Sequence, residues 1–348
     1  MKTVARTSPY IRKKTSTRRM MLDVLIALTP VIIFAIYRFK FDFLGRFLFA
    51  GFIAVLIEFV WFLLSKDSNE TFERRVKTYK VEKVVPPLIT STIFVLTIPS
   101  QASYFLVFVG VVVAIVIGKM IFGGLGANIF NPAGLGRAFV GLALGGLMGK
   151  YVDVDGISSP TALTLTFPEL LKQQSFVDLL LGTIPGSMGE ISAIAIIIGG
   201  IYLLVRKSAD FRVIAASLLT FSLFMIVAAI TKKYSFENVL GYALFNLLAG
   251  GILFGVVFMA TDPVTLPYTR PGRLIFGLII GSVVALVRLF GSMPEGMVFS
   301  LLIANAFVGL IDHKKWTTNE YTKKFIIGYS AAIAFVVLII ILKGVIGG

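Results

Sequence analysis

Cysteine is absent from this chain of 348 residues, and histidine occurs once, as His313. The first absence excludes a chain-borne iron-sulfur cluster, a zinc-thiolate site and a haem attached through a C-x-x-C-H motif. The second excludes a haem held between two histidines. Charge is scarce as well, at 15% of residues with only 18 acids. Phosphate loops are missing: "GLMGKY" (146–151) has Tyr151 where magnesium needs a Ser or Thr hydroxyl, and "GGLGAN" (123–128) lacks the third glycine of a dinucleotide fingerprint. Any electron-carrying role therefore needs an organic cofactor, and a flavin is the leading choice.

What is present is apolar. At 57% hydrophobic residues, with runs near the ~20 helical residues that cross a bilayer core, the chain is expected to be an all-α polytopic membrane protein. Candidate spans fall near 20–37, 44–64, 84–98, 104–121, 133–149, 191–206, 213–230, 238–260, 274–290, 296–311 and 325–347. The third and fifth are short, and Pro86, Pro87, Pro99 and Pro132 interrupt or bound them. Broken helices survive at membrane depth only where protein or a cavity takes up the freed backbone groups.

Basic residues mark the cytoplasmic side. Residues 1–19 hold seven Lys or Arg and no acid, and 65–83 hold six against four acids. An N-terminus inside and alternating spans put 150–190, with two bases and five acids, on the extracytoplasmic side. The net charge of +15 sits beside the membrane and not on a soluble basic face, so nucleic acid is not an expected partner. The first apolar run follows nineteen residues and lacks a small-residue cleavage site, so it reads as an uncleaved anchor. The expected organisation is a basic tail (1–19), a first membrane repeat (20–149), an outside loop (150–190), a second repeat (191–312), and a loop with an added helix (313–348).

An internal echo supports two repeats. "FNPAGLGRAFVGL" (130–142) and "MPEGMVFSLLIANAFVGL" (293–310) both begin at a proline and end in "AFVGL". Five spans precede the outside loop and at least five follow it. An odd number per repeat inverts the second copy, an arrangement whose sites form where the repeats meet. Asn128, Asn131, Asp262 and Glu295 stand at span entrances, where they can meet a flavin or an ion, or simply cap turns. Glu58, in the middle of "FIAVLIEFVWFLL", is either part of an ion path or hydrogen-bonded to a neighbouring helix. Lys119 and Arg137 either neutralise a ligand or anchor span ends at the interface. Gly141, Gly145 and Gly149, spaced by four, suggest close helix approach.

The outside loop carries "VDVDGISSPTALTLTFPELL" (152–171), a concentration of hydroxyls behind two aspartates. With "SPYIRKKTSTRRMMLDVLIALTP" (8–30), "GGLGANIFNPAGLGRAF" (123–139), "LGTIPGSMGEISAIAIIIGGIYLL" (181–204), "FMATDPVTLPYTRPGRLIFG" (258–277) and "MPEGMVFSLLIANAFVGLID" (293–312), the chain resembles one membrane family. That family, RnfD/NqrB, contains the D-type subunit of the Rnf complex, an ion-translocating ferredoxin:NAD oxidoreductase, and the B-type subunit of the sodium-pumping NADH:quinone reductase. The motifs occur in order over most of the chain.

The resemblance implies FMN carried through a phosphoester on Thr161, within an attachment motif that includes Asp155, Ser158 and Ser159. Pro160 stands where the family has alanine, and it biases Ser159 toward an extended backbone. Threonine is a poor nucleophile, so a flavin transferase would have to activate it. The resemblance also implies a noncovalent riboflavin between helices, partner subunits bearing iron-sulfur clusters, a second subunit with covalent FMN, and residence in a prokaryotic plasma membrane. It further implies electron relay from ferredoxin toward NAD, coupled to sodium or proton export. The short loop after "GRAFVGL" favours the Rnf branch over the quinone-reductase branch, and a solute transporter of the same architecture is the competing class. The apolar tail 325–348 departs from the family pattern and is long enough to cross once more.

Overall fold

A computed structural model describes residues 17–65, 73, 79, 83–148, 176–182, 186–190, 192–249, 251–291, 296–315 and 317–346. Within them the chain forms twelve α-helices and no strand. They are α1 (Thr17–Ser65), α2 (Val85–Leu96), α3 (Tyr104–Val112), α4 (Pro132–Ala143), α5 (Phe176–Leu181) and α6 (Ala193–Val205). After these come α7 (Phe211–Thr231), α8 (Phe236–Leu248), α9 (Ile252–Phe254), α10 (Arg270–Phe290), α11 (Met297–Ile311) and α12 (Lys323–Ile346). α3 continues as a π-helix over Val113–Met120, and α9 continues as another over Gly255–Met259.

Four described helices are long and apolar enough to cross a membrane: α1, α7, α10 and α12. α8 and the α9 segment form a fifth, bent by 60°. α1 is itself broken at Lys40, whose φ of 48° lies outside helical space. Its second arm returns toward the end where the first began, because Met20 and Lys119 line one cleft and Lys119 holds Glu58. The chain is an all-α polytopic membrane protein.

Each expected span contains a helix, with two corrections: the span expected over 238–260 breaks after Leu248 and bends by 60°, and a boundary moves in the first half. The span expected over 133–149 stops at Ala143, because the chain turns through a 3₁₀ element at Gly145–Leu147. Gly145 does not mediate close packing, since a Cβ there would meet nothing within 4 Å, Gly141 faces only Arg137 of its own helix, and Gly149 lies outside the described residues. Tight approaches lie elsewhere. A Cβ at Gly136 would come within 2.6 Å of the Gly110 carbonyl, and one at Gly277 within 2.6 Å of the Ala216 Cβ.

The prolines act as the sequence suggests. Pro86 and Pro87 open α2, and Pro132 opens α4, at first-turn positions where no intrahelical N–H is lost. Past the end of α2 the freed carbonyls are taken up by protein. Leu96 O accepts from Gly189 N–H, Ile98 O from Met188 N–H, and Thr97 O from Arg137 Nε at 2.7 Å.

Helix directions reveal the inverted relation. In the first half, the second arm of α1 runs parallel to α3, with Gly45 beside Tyr104 and Glu58 beside Lys119. In the second half α7 runs parallel to α10, with Gly277 against Val213, Ala216 and Ser217, and Gly281 against Ser217, Thr220 and Phe221. Between halves the packing is antiparallel. Ala27 and Asp23 of α1 meet Gly199 and Arg206 of α6, while Asn131 and Gly134 at the start of α4 meet Asn305 and Leu301 of α11. The two "AFVGL" helices thus cross head to tail.

Candidate functional site

Where the halves meet, a cleft open at one side forms. Its walls are largely apolar and include Ile89 and Ile93 from α2, Leu203 from α6 and Phe258 from the second π-helix. Polar groups gather among them: Lys119, Asn128, Asn131, Ser208, Thr261 and Asp262. The floor is therefore assembled from both repeats, as the inverted echo predicts.

Asn131 builds the junction. It caps α4 by accepting from Gly134 N–H at 3.0 Å and reaches across with Nδ2 to the Met259 carbonyl at 3.3 Å. Its own N–H donates to Asn305 Oδ1 at 3.0 Å, and Asn305 Nδ2 donates to the Thr265 carbonyl at 3.0 Å. The carbonyls left over where the π-helix ends are thereby satisfied inside the protein. Asn128 Nδ2 closes its turn onto the Phe130 carbonyl at 3.2 Å. Asp262 accepts from Val264 N–H at 3.2 Å and from Thr265 Oγ1 at 3.4 Å. Turn formation and cleft lining coincide in these three residues.

Lys119 is 2% exposed, and its Nζ lies 2.7 Å from Glu58 Oε2. The carboxylate in the middle of an apolar span is thus hydrogen-bonded to a neighbouring helix. Arg137 is buried too, and bonded to Thr97 O. Neither cation anchors a span at the interface, because each is enclosed by protein and engaged with an internal acceptor.

Two features were missed in the sequence. Asn305 lies inside the second echo motif, and its signal was an amide in the middle of an otherwise apolar run. Asp23, 3% exposed, accepts from Ser208 Oγ at 2.7 Å, Arg206 Nε at 3.1 Å and Tyr202 Oη at 3.2 Å. It ties the start of α1 to the end of α6 beside the cleft, where Met20, Met21 and Val24 form the wall. Thr161, Asp155, Ser158, Ser159 and Glu295 lie outside the described residues.

The cleft combines apolar walls with a few hydrogen-bonding groups: Lys119 is a pure donor, and Asn128 both donates and accepts.

Fold and site define a class: multi-pass helical membrane proteins with a polar-lined cleft between two inverted halves. Within that class, the chain belongs to the NQR2, RnfD, RnfE family, whose model matches residues 4–321. α12 lies beyond that match.

The chain is 29% identical to the D-type subunit of the ion-translocating oxidoreductase complex of Actinobacillus succinogenes, over 92% of this chain and 97% of that protein. It is 31% identical to the D-type subunit of the proton-translocating ferredoxin:NAD(+) oxidoreductase complex of Clostridium ljungdahlii, over 88% and 92%. With the B-type subunit of the Na(+)-translocating NADH-quinone reductase of Pseudomonas aeruginosa (strain LESB58) the identity is 37%, over 65% of this chain and 58% of that protein. The chain thus spans under two thirds of the length of the Pseudomonas relative.

Proposed function

We propose that this chain is a membrane subunit of an ion-translocating electron-transport complex of the Rnf type. The observation that carries the reading is the likeness to two D-type subunits over nearly their whole length. The quinone-reductase likeness covers a smaller part of its relative and is the second choice. On this reading the chain does not catalyse alone. It works with iron-sulfur subunits and a second flavin-bearing subunit, in a prokaryotic plasma membrane.

The cleft would take a noncovalent flavin, riboflavin in the family pattern, and Thr161 would carry FMN through a phosphoester. A flavin supplies one- and two-electron chemistry when bound. This chain's own groups would place and tune it. Lys119 and Asn128 present donors, Asp262 and Thr261 fix the opposite wall, and Ile89, Ile93, Leu203 and Phe258 exclude water. The Asp23 cluster closes the wall between α1 and α6. Lys119, the cation among these lining groups, would favour negative charge arriving in the cleft.

Orientation follows from the basic residues. The cleft end, which carries Arg206, Lys207, Lys314 and Lys315, would lie in the cytoplasm, in keeping with the basic composition of residues 1–19. The 150–190 loop that holds Thr161 would then be extracytoplasmic, the side on which a flavin transferase would have to act.

The test is in-gel ultraviolet fluorescence of denatured protein, coexpressed with and without a flavin transferase, beside Thr161→Val. The expected result is fluorescence that needs the transferase and vanishes in the variant, with riboflavin released separately by acid extraction. A dark band from protein purified out of its native membrane would refute covalent attachment, and absence of any extracted flavin would favour a transporter.

A further inference from the structure

Two spans end together at the side of the molecule away from the cleft. α7 begins shortly after the cleft residue Ser208 and closes at Thr231, where a Cβ on Gly344 of α12 would stand 2.7 Å from the Thr231 Cβ. Cations flank that contact: Lys232 and Lys233 directly follow Thr231, and Lys343 directly precedes Gly344. The corner is therefore shared between the matched family region and the helix that lies beyond it.

Two of the three ammonium groups are oriented by aromatic rings. Lys343 Nζ lies 4.5 Å from the centroid of the Phe290 ring, at the end of α10. Lys232 Nζ lies 5.1 Å from the centroid of Tyr242 in α8 and 3.5 Å from its hydroxyl oxygen. Neither contact neutralises a charge. Among the described residues no carboxylate forms a salt bridge with Lys232, Lys233 or Lys343. The segments 231–248 and 323–346 contain a single acid, Glu237, whose side chain lies outside the described residues.

Position matters as much as charge. α7, α10 and α12 are each long and apolar enough to cross a bilayer, so their ends stand at headgroup level. By the charge argument that places the cleft end in the cytoplasm, this is the outer end, where basic residues are ordinarily sparse. The partial negative charge of helix C-termini favours a lysine near each of them, but that attraction carries no preference for one lipid over another. Inward of the lysines the surface is apolar, with Ile230, Ile341 and Leu342 exposed, where the acyl chains beneath a headgroup would lie.

We propose that the corner between the ends of α7 and α12 binds the headgroup phosphate of an anionic phospholipid. Lys232, Lys233 and Lys343 supply the positive charge, and Ile230, Ile341 and Leu342 contact the acyl chains. α12 thereby provides one wall of the site. The site is independent of the redox reading and would serve a transporter of the same architecture equally.

The experiment uses delipidated full-length protein in a neutral detergent. Its melting temperature is followed with phosphatidylglycerol, with phosphatidylcholine of the same acyl chains, and with inorganic phosphate. A ligand that binds only the folded protein raises the melting temperature. Phosphatidylglycerol is expected to raise it by several degrees more than phosphatidylcholine does, and inorganic phosphate to leave it unchanged. The advantage should shrink as sodium chloride is raised, because exposed charges are screened. In Lys232→Gln/Lys233→Gln/Lys343→Gln the two lipids should act alike. Equal stabilisation by the two lipids in wild type, or an advantage undiminished in the triple variant, would overturn the proposal. So would inorganic phosphate matching phosphatidylglycerol, since the corner would then take a free anion.

Should the triple variant not accumulate, Lys343→Gln alone is read by native mass spectrometry after exposure to equal amounts of the two lipids. The bound ratio of phosphatidylglycerol to phosphatidylcholine is expected to fall severalfold from its wild-type value. A lysine with a merely structural role would lower stability in both lipids and leave that ratio unmoved, and an unmoved ratio sinks the proposal.

Discussion

The side-chain oxygen of Asn305 accepts the backbone N–H of Asn131 at 3.0 Å across 174 residues of sequence. This bond joins the two echo helices α4 and α11 at the cleft floor, where both asparagines are buried. Asn305→Leu keeps the volume but orphans the Asn131 N–H and the Thr265 carbonyl. Each buried unsatisfied group costs about 1–3 kcal/mol, so the two together are expected to cost roughly 2–6 kcal/mol. Unfolding in graded dodecyl sulfate mixtures measures it, and an unchanged midpoint would show that the halves are held elsewhere.

Asp23 provides a second cross-half tie with a different balance. Its bonds to Ser208 and Tyr202 come from neutral groups, and its ion partner Arg206 is 36% exposed. Solvent screening reduces the worth of such an exposed charge. Asp23→Ala is expected to cost about 1–3 kcal/mol through the orphaned hydroxyls. Arg206→Gln should cost under about 1 kcal/mol. Equal losses in the two variants, measured by thermal unfolding in detergent, would mean that the ion pair dominates.

The sequence and the structure agree where apolar periodicity and proline chemistry decide the outcome. Long greasy runs became helices, Pro86 and Pro132 became helix entrances, and the "AFVGL" echo became two helices crossing head to tail. Asn128, Asn131 and Asp262 were recognisable as entrance residues, and they meet at one cleft. The partner of Glu58 was not legible. Lys119 lies 61 residues away on another helix, and a lysine at a span end ordinarily anchors at the interface. Small-residue spacing also misled. Gly141, Gly145 and Gly149 share one helical face by arithmetic, but α4 ends at Ala143, so Gly145 never reaches a neighbour.

The close approach lies instead between α7 and α10. A Cβ on Gly277 would stand 2.6 Å from the Ala216 Cβ and 3.0 Å from the Val213 carbonyl oxygen. Backbone oxygens cannot yield as a flexible side chain can. Gly277→Val should therefore push the helices apart at a cost of about 1–3 kcal/mol or more, in the range of overpacked cores. Gly309→Ala, where the added carbon meets nothing within 4 Å, serves as the neutral control. Comparable melting temperatures in the two variants would contradict the assignment of this seam.

α12 tests the topology. Gly344, near its end, packs against Thr231 at the far end of α7, whereas α7 begins next to Asp210, which bonds to Arg273 near the start of α10. The helix therefore traverses the bundle alongside α7, and its exposed apolar residues, Ile327, Phe335 and Leu338 among them, face what surrounds the protein. With the 1–19 tail cytoplasmic by charge, the end of α12 is expected on the opposite side. A fusion of alkaline phosphatase after Gly348 should be active, and a fluorescent protein that matures only in the cytoplasm should stay dark there. Moving the fusion point to Lys315, ahead of α12, should reverse both signals. A cytoplasmic signal from both positions would mean that α12 does not cross, and its packing against α7 would then have to form without a membrane-spanning path.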